Sequence, residues 1–464
     1  MNNLPVIAIF DVGRTNKKLF LFDEHYQIVY EKTARFLETT DEDGEACENL
    51  DSLRLSVFES LNEVLKIEKF KIQAINFSAY GASLVYLNEE FKPLSPLYSY
   101  LKPYPDELEK QFYSAYGGKE KIMLETASPA LGSLNSGLQL YRLKYEKPDI
   151  FKKLKYALHL PQYMSYLISG KCYSDLTSIG CHTYLWNFKN NDYHSWVYQE
   201  NLQAKLAPIL SCEEVTLASF MGKNYKTGIG LHDSSAALIP YMVNFREPFV
   251  LISTGTWCIS LNPFSETPLT PEELNNNCLT HLSYRGKSVK AARIFAGFEH
   301  EQQVKRIADH FNVNSILFRL MEFVPDIINK LKADGNLEYP FSKHQPLPKV
   351  SAFQHRDLAD FENAKVAYHQ LIADLIHLQY ASTIQIISGT ITKKIFVDGG
   401  FSKNAIYMNL LAAKFLDIEV YAATMAQASA LGAALAIHEH WNTRPLANDI
   451  IDLKYYSAND TIRI

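Results

Sequence analysis

The chain has 464 residues, 47% hydrophobic and 21% charged, which suits two domains with sizeable cores. Its formal net charge is −5, from 46 basic against 51 acidic residues, which excludes a broad nucleic-acid-binding surface but leaves room for a local basic pocket. No apolar run approaches the roughly 18 residues of a membrane span, and six cysteines without a C-x-x-C pair point to free thiols rather than disulfides or zinc. The opening MNNLPVIAIFDVG lacks the basic region of a secretory signal, so a cytoplasmic location is expected.

PVIAIFDVG reads as a strand that stops at Asp11-Val12-Gly13, and KKLFLFDEH and QIVYEKTARF follow with strand composition and polar turns between them. LDSLRLSVFESLNEVLKIEK has helical spacing, with Leu53, Val57, Leu61, Val64 and Leu65 on one face. KIQAINFSAYG is a further strand. From about 94 to 215 the chain is richer in Tyr, Lys and Pro, with helices in LNSGLQLYRLKYEK and LPQYMSYLISG and a polar loop, WNFKNNDYHSW. This stretch reads as an insertion that shapes a pocket.

At 249 the plan of the N-terminus returns in FVLISTGTWCISLN: apolar strand, small-residue turn, second strand. The repetition predicts two α/β domains of one architecture, 1–244 with the insertion and 245–464, with a boundary near Asn244–Pro248. The second half continues with an amphipathic helix, ENAKVAYHQLIADLIHLQYASTIQII. Then come a strand, KKIFVDGG, a helix, SKNAIYMNLLAAKFL, a strand, IEVYAA, and an alanine-rich helix, QASALGAALAIHE. The last ~20 residues read as a peripheral tail.

Three turns place small residues just after an apolar strand, where backbone N–H groups can approach an anion. They are Asp11-Val12-Gly13-Arg14-Thr15-Asn16, Ser253-Thr254-Gly255-Thr256 and Asp398-Gly399-Gly400-Phe401-Ser402-Lys403-Asn404. Taken singly, each is also what a hairpin turn requires. The first adds a carboxylate, Asp11, suited to holding Mg²⁺ through waters, with Arg14, Lys17 and Lys18 beside it. The second adds hydroxyls. The third opens a helix, whose N-terminus favours anions, and it is flanked by the tight Ala-Leu-Gly-Ala-Ala helix, where a planar base could slide between closely packed elements.

In GIGLHDSSAALIPY, residues 228–241, His232 and Asp233 follow a glycine-punctuated turn. Asp233 is either a helix cap or a base exposed at a helix start, and the stretch alone leaves both open. No P-loop, G-x-G-x-x-G, H-E-x-x-H or G-x-S-x-G pattern occurs. His438-Glu439-His440 reads as helix-end charge rather than a metal site, and His300, His310 and His377 are likewise not read as ligands.

Together these stretches resemble the FGGY carbohydrate kinases, members of the actin-like, ribonuclease H-like ATPase superfamily, over roughly residues 5–440. DVGRTNKK resembles the family's phosphate-1 loop, usually D-x-G-[TS]-x-S-x-R, and LISTGTWCIS the phosphate-2 loop. FVDGGFSKNAIYMNLLAA is similar to the adenosine motif and QASALGAALA to the segment after it. GLHDSSAAL matches the G-x-x-D-x-x-A segment that carries the catalytic aspartate. The His-Asp pair, the S-x-G-T-W turn, YGASLVYLNEE, and LNSGLQLYRL followed by ALHLPQYMSYLISG look most like L-rhamnulose kinases.

The resemblance implies an α/β fold of two actin-like domains of duplicated βββαβαβα plan around a central cleft. It implies transfer of the ATP γ-phosphoryl group to a ketose hydroxyl, with Asp233 as general base. His232, Tyr80, Gly81, Ala82, Asn135 and Gln162 would contact the sugar. Gly13, Arg14, Thr15, Asn16, Lys18, Thr254, Gly255 and Thr256 would hold the phosphates, Gly399, Gly400 and Asn404 would line the adenosine site, and Asp11 would hold Mg²⁺ through water. ATP, Mg²⁺ and a small sugar are the implied ligands, with no nucleic acid or membrane partner, and homodimers are common in the family. Lys18 stands where the family usually has Arg, Arg14 where it has Ser or Thr, and Ser83 where rhamnulose kinases tend to be acidic. The alternatives are a polyol or glycerol-type kinase, disfavoured because Ser78-Ala79-Tyr80-Gly81 lacks the Arg-Glu pair of glycerol kinases, and a non-catalytic nucleotide-gated sugar sensor.

Overall fold

Val6–Ile9 are wholly buried in the first strand, the mark of a central strand covered on both faces. The computed structural model describes residues 3–14, 17–34, 38–339, 346–425, 427–446 and 450–457. Strand β1 (Leu4–Val12) pairs antiparallel with β2 (Lys17–Asp23), and β2 with β3 (Ile28–Ala34). Helix α1 (Leu50–Leu65) is capped by the Asn49 side chain and buries the predicted stripe Leu53, Val57, Leu61 and Val64. β4 (Phe70–Ala79) then returns parallel to β1.

The predicted insertion is a lobe with its own core. β5 (Leu84–Leu87) and β6 (Tyr156–His159) form an antiparallel pair, with α2 (Ser136–Glu146) between them in sequence. Phe112, Tyr141, Tyr184 and Trp196 pack at its centre, the Phe112 and Trp196 rings meeting edge to face at 5.1 Å. Helix α3 (Leu160–Ser169) and the short α4 (Leu176–Ile179) lead back towards the sheet, and the Asp175 side chain caps α4. β7 (Val215–Phe220), β8 (Lys223–Gly228) and β9 (Leu231–His232) complete a sheet of order β7-β8-β4-β1-β2-β3, with β9 parallel to β4. Helix α5 (Asp233–Asn244) follows immediately.

The strand plan then repeats. β10 (Phe249–Thr254) pairs antiparallel with β11 (Cys258–Asn262), β11 antiparallel with β12 (Ser288–Ile294), and β10 parallel with a later strand, β13 (Lys394–Gly399). Between β12 and β13 come α6 (Ala296–Phe311) and α7 (Ala364–Ile387). Helix α7 was expected to be amphipathic, but 17 of its 24 residues are buried. The reason is that it packs on α6, on β11 and on α8 (Ala405–Lys414). β14 (Glu419–Thr424) is parallel to β13.

Helix α9 (Ala428–Ala436) packs against α5, β1 and β4. The expected peripheral tail is in part a strand, β15 (Asp452–Tyr456), which pairs antiparallel with β14. Neighbouring strands in this second sheet run β12-β11-β10-β13-β14-β15.

The chain divides into two units. The first comprises Met1–Asn244, Thr280–Ser288 and Gln427–Ile450, and the second comprises Phe245–Leu279, Val289–Ala426 and Ile451–Ile464. Among the described residues no helix is long and apolar enough to cross a membrane.

Candidate active site

Register decides what meets at the end of the first sheet. Asp11 is level with Ser78 on β4 and Val12 with Ala79, while Leu231 and His232 of β9 are level with the same Ser78 and Ala79. The carboxyl ends of three parallel strands therefore finish together, and this brings Asp11, Tyr80–Ala82 and His232–Asp233 to one place. Crevices at such ends are where open α/β sheets bind ligands.

Asp11 is half-buried and accepts a hydrogen bond from Ser429 Oγ at 2.8 Å. Burial pushes its carboxyl up to about 6, with the charge of Asp233 adding to the rise and Ser429, Ser78 and Lys18 opposing it. Lys18 is paired with Glu31 at 2.6 Å, and Arg14 is exposed with its guanidinium 5.4 Å from the centre of the Tyr100 ring. Gly13 follows β1 directly, whereas Thr15 and Asn16 lie outside the described residues.

Asp233 is the first residue of α5. Its Oδ1 accepts hydrogen bonds from Ser234 N at 2.6 Å and Ser234 Oγ at 3.3 Å. Among the described residues Oδ2 makes no hydrogen bond, and a third of the side chain is exposed. One oxygen thus serves the helix start while the other stays open.

His232 is buried, with Nε2 3.5 Å from Asp233 Oδ1 and 3.8 Å from Cys181 Sγ. Cys181 Sγ also lies 2.9 Å from His182 Nδ1. Burial opposes a charge on His232, but the Cys181 sulfur, Asp233 and Asp175 outweigh it and push the imidazole up to about 9. Burial likewise opposes a Cys181 thiolate, but His182 and His232 hold the thiol well below its usual range. His232 Nδ1 is buried without a hydrogen-bond partner. A Cβ at Gly81 would lie 2.3 Å from His232 Cδ2, so only glycine lets the ring occupy this position.

The other sugar-lobe candidates divide into two groups. Tyr80 and Ala82 flank Gly81 at the end of β4, and the Ala82 carbonyl accepts a hydrogen bond from Gln139 Nε2 at 2.6 Å. Asn135 and Gln162 are buried with their side chains engaged in the fold. Asn135 Oδ1 accepts from Leu131 N and its Nδ2 donates to Ser128 Oγ, Pro129 O and His182 O. Gln162 Nε2 donates to Asp175 Oδ1 and Gly230 O, both at 2.9 Å. The structure places these two behind the crevice, supporting His182 and the turn before β9. Ser83 is buried and donates to Tyr98 O at 3.0 Å.

In the second unit Thr254 is level with Gly399, so the two remaining turns meet. Most of their polar groups bond each other: Gly400 N donates to Thr254 O at 2.9 Å, Phe401 N to Thr254 Oγ1 at 3.0 Å, and Thr254 Oγ1 to Asp398 O. Gly255, Thr256 and Gly400 remain exposed. Asn404 caps α8 through Oδ1, which accepts from Tyr407 N, while its Nδ2 donates to Tyr368 OH at 2.7 Å. A cavity of about 1110 Å³ opens here, lined by Thr254, Gly255, Gly297, His300, Tyr368 and Asn404 among others.

His300, not read as a ligand from sequence, lines this cavity with Nε2 3.0 Å from Tyr368 OH, and burial holds its imidazole down at about 4. His438, read as helix-end charge, is buried and bonded to Tyr26 OH through Nδ1 at 2.5 Å. The small-residue face of α9 receives the α5 backbone: a Cβ at Gly432 would sit 1.8 Å from Ala236 O. That face is therefore a helix-packing surface and not a slot for a planar base.

Among the described residues Ser78 and Ser429, whose side chains lie beside Asp11, offer oxygen, which with the carboxylate suits a hard cation such as Mg²⁺. Among the described residues no group of three or more His, Cys, Asp or Glu is arranged to hold a metal ion. One carboxylate with water and substrate phosphates is the usual way Mg²⁺ is held at such sites.

The duplicated mixed sheets flanked by helices are consistent with the two-domain α/β kinases of the actin-like ATPase superfamily. The FGGY family of carbohydrate kinases, N-terminal domain, matches residues 6–232, and the FGGY carbohydrate kinase C-terminal domain matches 246–445. This chain belongs to the FGGY family of carbohydrate kinases. A rhamnulokinase of Halalkalibacterium halodurans is 30% identical over 170 residues, which cover 36% of this chain and 33% of that protein. The match thus spans about a third of that relative's length. A carbohydrate kinase from Novosphingobium aromaticivorans has a TM-score of 0.82 at 21% identity, covering 99% of this chain and 96% of that one. A ligand-bound xylulose kinase from Lactobacillus acidophilus has a TM-score of 0.78 at 17% identity, with 98% and 94% covered. At such identities the likeness to these structures is one of fold.

Proposed function

We propose that this chain transfers the γ-phosphoryl group of ATP to a hydroxyl of a ketose, of the 6-deoxyketose (rhamnulose-like) or ketopentose class, with Asp233 as general base. The observation that carries the reading is the Asp233 carboxylate. It sits at the shared end of three parallel strands with Oδ2 open, beside Asp11 and the buried His232. The rhamnulokinase relative supports the 6-deoxyketose class.

Phosphoryl transfer asks the protein for positioning and charge stabilisation more than for covalent chemistry. Asp233 Oδ2 accepts the proton of the attacking sugar hydroxyl as that oxygen bonds to the γ-phosphorus and the bridge to the β-phosphate breaks. Its place at the start of α5 adds the helix's positive end near the transferring group. His232, next to Asp233 at the end of its strand, is the residue assigned to a second sugar hydroxyl. Asp11 would hold Mg²⁺, which would supply neutralisation of the phosphate charge. The exposed Gly255–Thr256 turn holds phosphate oxygens, and Tyr368, Asn404 and His300 face the base in the second-unit cavity.

The test is ADP release from Mg-ATP with a panel of ketoses, aldoses and polyols, with the Asp233→Asn variant alongside. One ketose should stimulate release strongly. Asp233→Asn should lose about three orders of magnitude in kcat while still binding ADP. Stimulation only by polyols, or equal turnover in the variant, would refute the reading.

A further inference from the structure

The segment carrying Cys181 is fixed on both sides. Cys181 bridges His281 in an antiparallel backbone pair, Thr183 O accepts from Gly137 N at 2.8 Å, and His182 O accepts from Asn135 Nδ2 at 2.8 Å. His182 pays for this placement with a φ of 39°, a conformation that non-glycine residues seldom adopt. The result is a sulfur wedged between two imidazoles. His232 Nε2 in turn stands between Cys181 Sγ at 3.8 Å and Asp233 Oδ1 at 3.5 Å.

We propose that Cys181 is a positioning residue of the sugar site: its Sγ holds His232 Nε2 away from a close pair with Asp233, which leaves the Asp233 carboxylate free to act as base and keeps the His232 ring in place beside it. The proposal rests on the kinase reading above. Its physical content is a competition for one N–H. Without an acceptor at position 181, Asp233 is, among the described residues, the one anion within 4 Å of the buried His232, and a tight pair would turn the ring and occupy the carboxylate. The ionisable groups facing this pair are His182, Asp233, Asp175, His159 and His281. Of these, His159 and His281 are held at about 3 and about 4 by burial, so both are neutral at working pH. Buried sulfur flanked by imidazoles favours the thiolate, as the direction of the Cys181 shift also indicates.

The experiment compares wild type, Cys181→Ser and Cys181→Ala in steady-state kinetics across pH, together with an NMR titration of the His232 ring. Cys181→Ala should raise the sugar KM about tenfold with the ATP KM unchanged, and should alter the pH profile of kcat/KM. Cys181→Ser, which keeps an acceptor without the charge, should fall between. A sugar KM within twofold and a superimposable pH profile in both variants would overturn the proposal. If Cys181→Ala also changes the ATP KM, as misfolding would, the Ser variant and the ring titration decide. In the wild type the His232 imidazole should remain protonated at pH 8, and a neutral ring at that pH would overturn the proposal. Should the wild type turn over no sugar, the kinase reading fails by itself while the ring titration still reports on the Cys181–His232 pair.

Discussion

A carboxyl group drawn out of water at the end of a strand makes the fold pay for its charge. Asp11 is pushed from 3.8 to about 6, chiefly by burial. Between those values the folded chain binds a proton that the unfolded chain has released, so stability falls as pH rises through this window and stays lower above it. Asp11→Asn should therefore raise the free energy of unfolding at pH 8, by up to about 3 kcal/mol, and give no gain near pH 4. Calorimetry without nucleotide or metal checks the sign, and phosphoryl transfer should be lost in the same variant. His232 has the same sense at higher pH, although here the fold favours the charge. Its pKa is raised to about 9, so the stability it contributes is present below the unfolded value and is lost as pH climbs through about 9. At this scale the sequence was informative only in combination: Asp11, His232 and Asp233 lie in short runs that singly allow a structural reading, and the strand register brings them to one place. Ser429 could not be found that way, because it reaches Asp11 from 418 positions away. Cys181 and Asp175 carry no local pattern that marks them.

Among the elements, strands and helices were legible from periodicity, because β1, β4, β10 and β13 are apolar runs ended by small residues. What periodicity conceals is how many sides an element will cover. The pattern of α7 looked one-sided, yet neighbours on several sides bury His369, Gln370, Asp374 and Gln379 along with its apolar residues. Those polar groups survive burial by bonding one another and their surroundings, as Gln370 does with Asp374 at 2.7 Å. The reverse holds for α9, where a small-residue stripe serves close contact between helices. Gly432→Ala would drive a methyl group into the Ala236 carbonyl, a backbone atom with little room to retreat. We expect a loss of about 1–3 kcal/mol in denaturant unfolding and, because α5 begins with Asp233, a fall in kcat larger than any change in ATP KM. Unchanged unfolding would show that the two helices separate at no cost.

The whole molecule repeats one strand plan twice and assigns different chemistry to each copy. The first ends in carboxylates and imidazoles, and the second in a cavity with an Asn404–Tyr368–His300 hydrogen-bonded chain. The repetition was visible in the sequence as two similar starts, whereas the chain's crossings between units were not, since no composition marks residues 280–288 or 427–450 as belonging with the first unit. Hydrogen exchange should reveal this division of labour. ADP alone should slow exchange at 254–256, 297–304 and 400–404, and the accepted ketose alone at 80–82 and 231–235. Protection by the sugar confined to 254–256, 297–304 and 400–404 would contradict the assignment of the ketose to the first unit.

The return of α9 to the first unit also fixes an order of events during synthesis. When the ribosome has made residues 1–244, β1, β4 and α5 exist but the helix that covers them is nearly two hundred codons away. The nascent first unit must wait with an uncovered apolar strip while most of the second unit emerges, and only then can it close around Asp11 and Ser429. A fragment ending at 244 should accordingly be insoluble alone, and supplying 427–450 as a separate chain is the most direct way to rescue it.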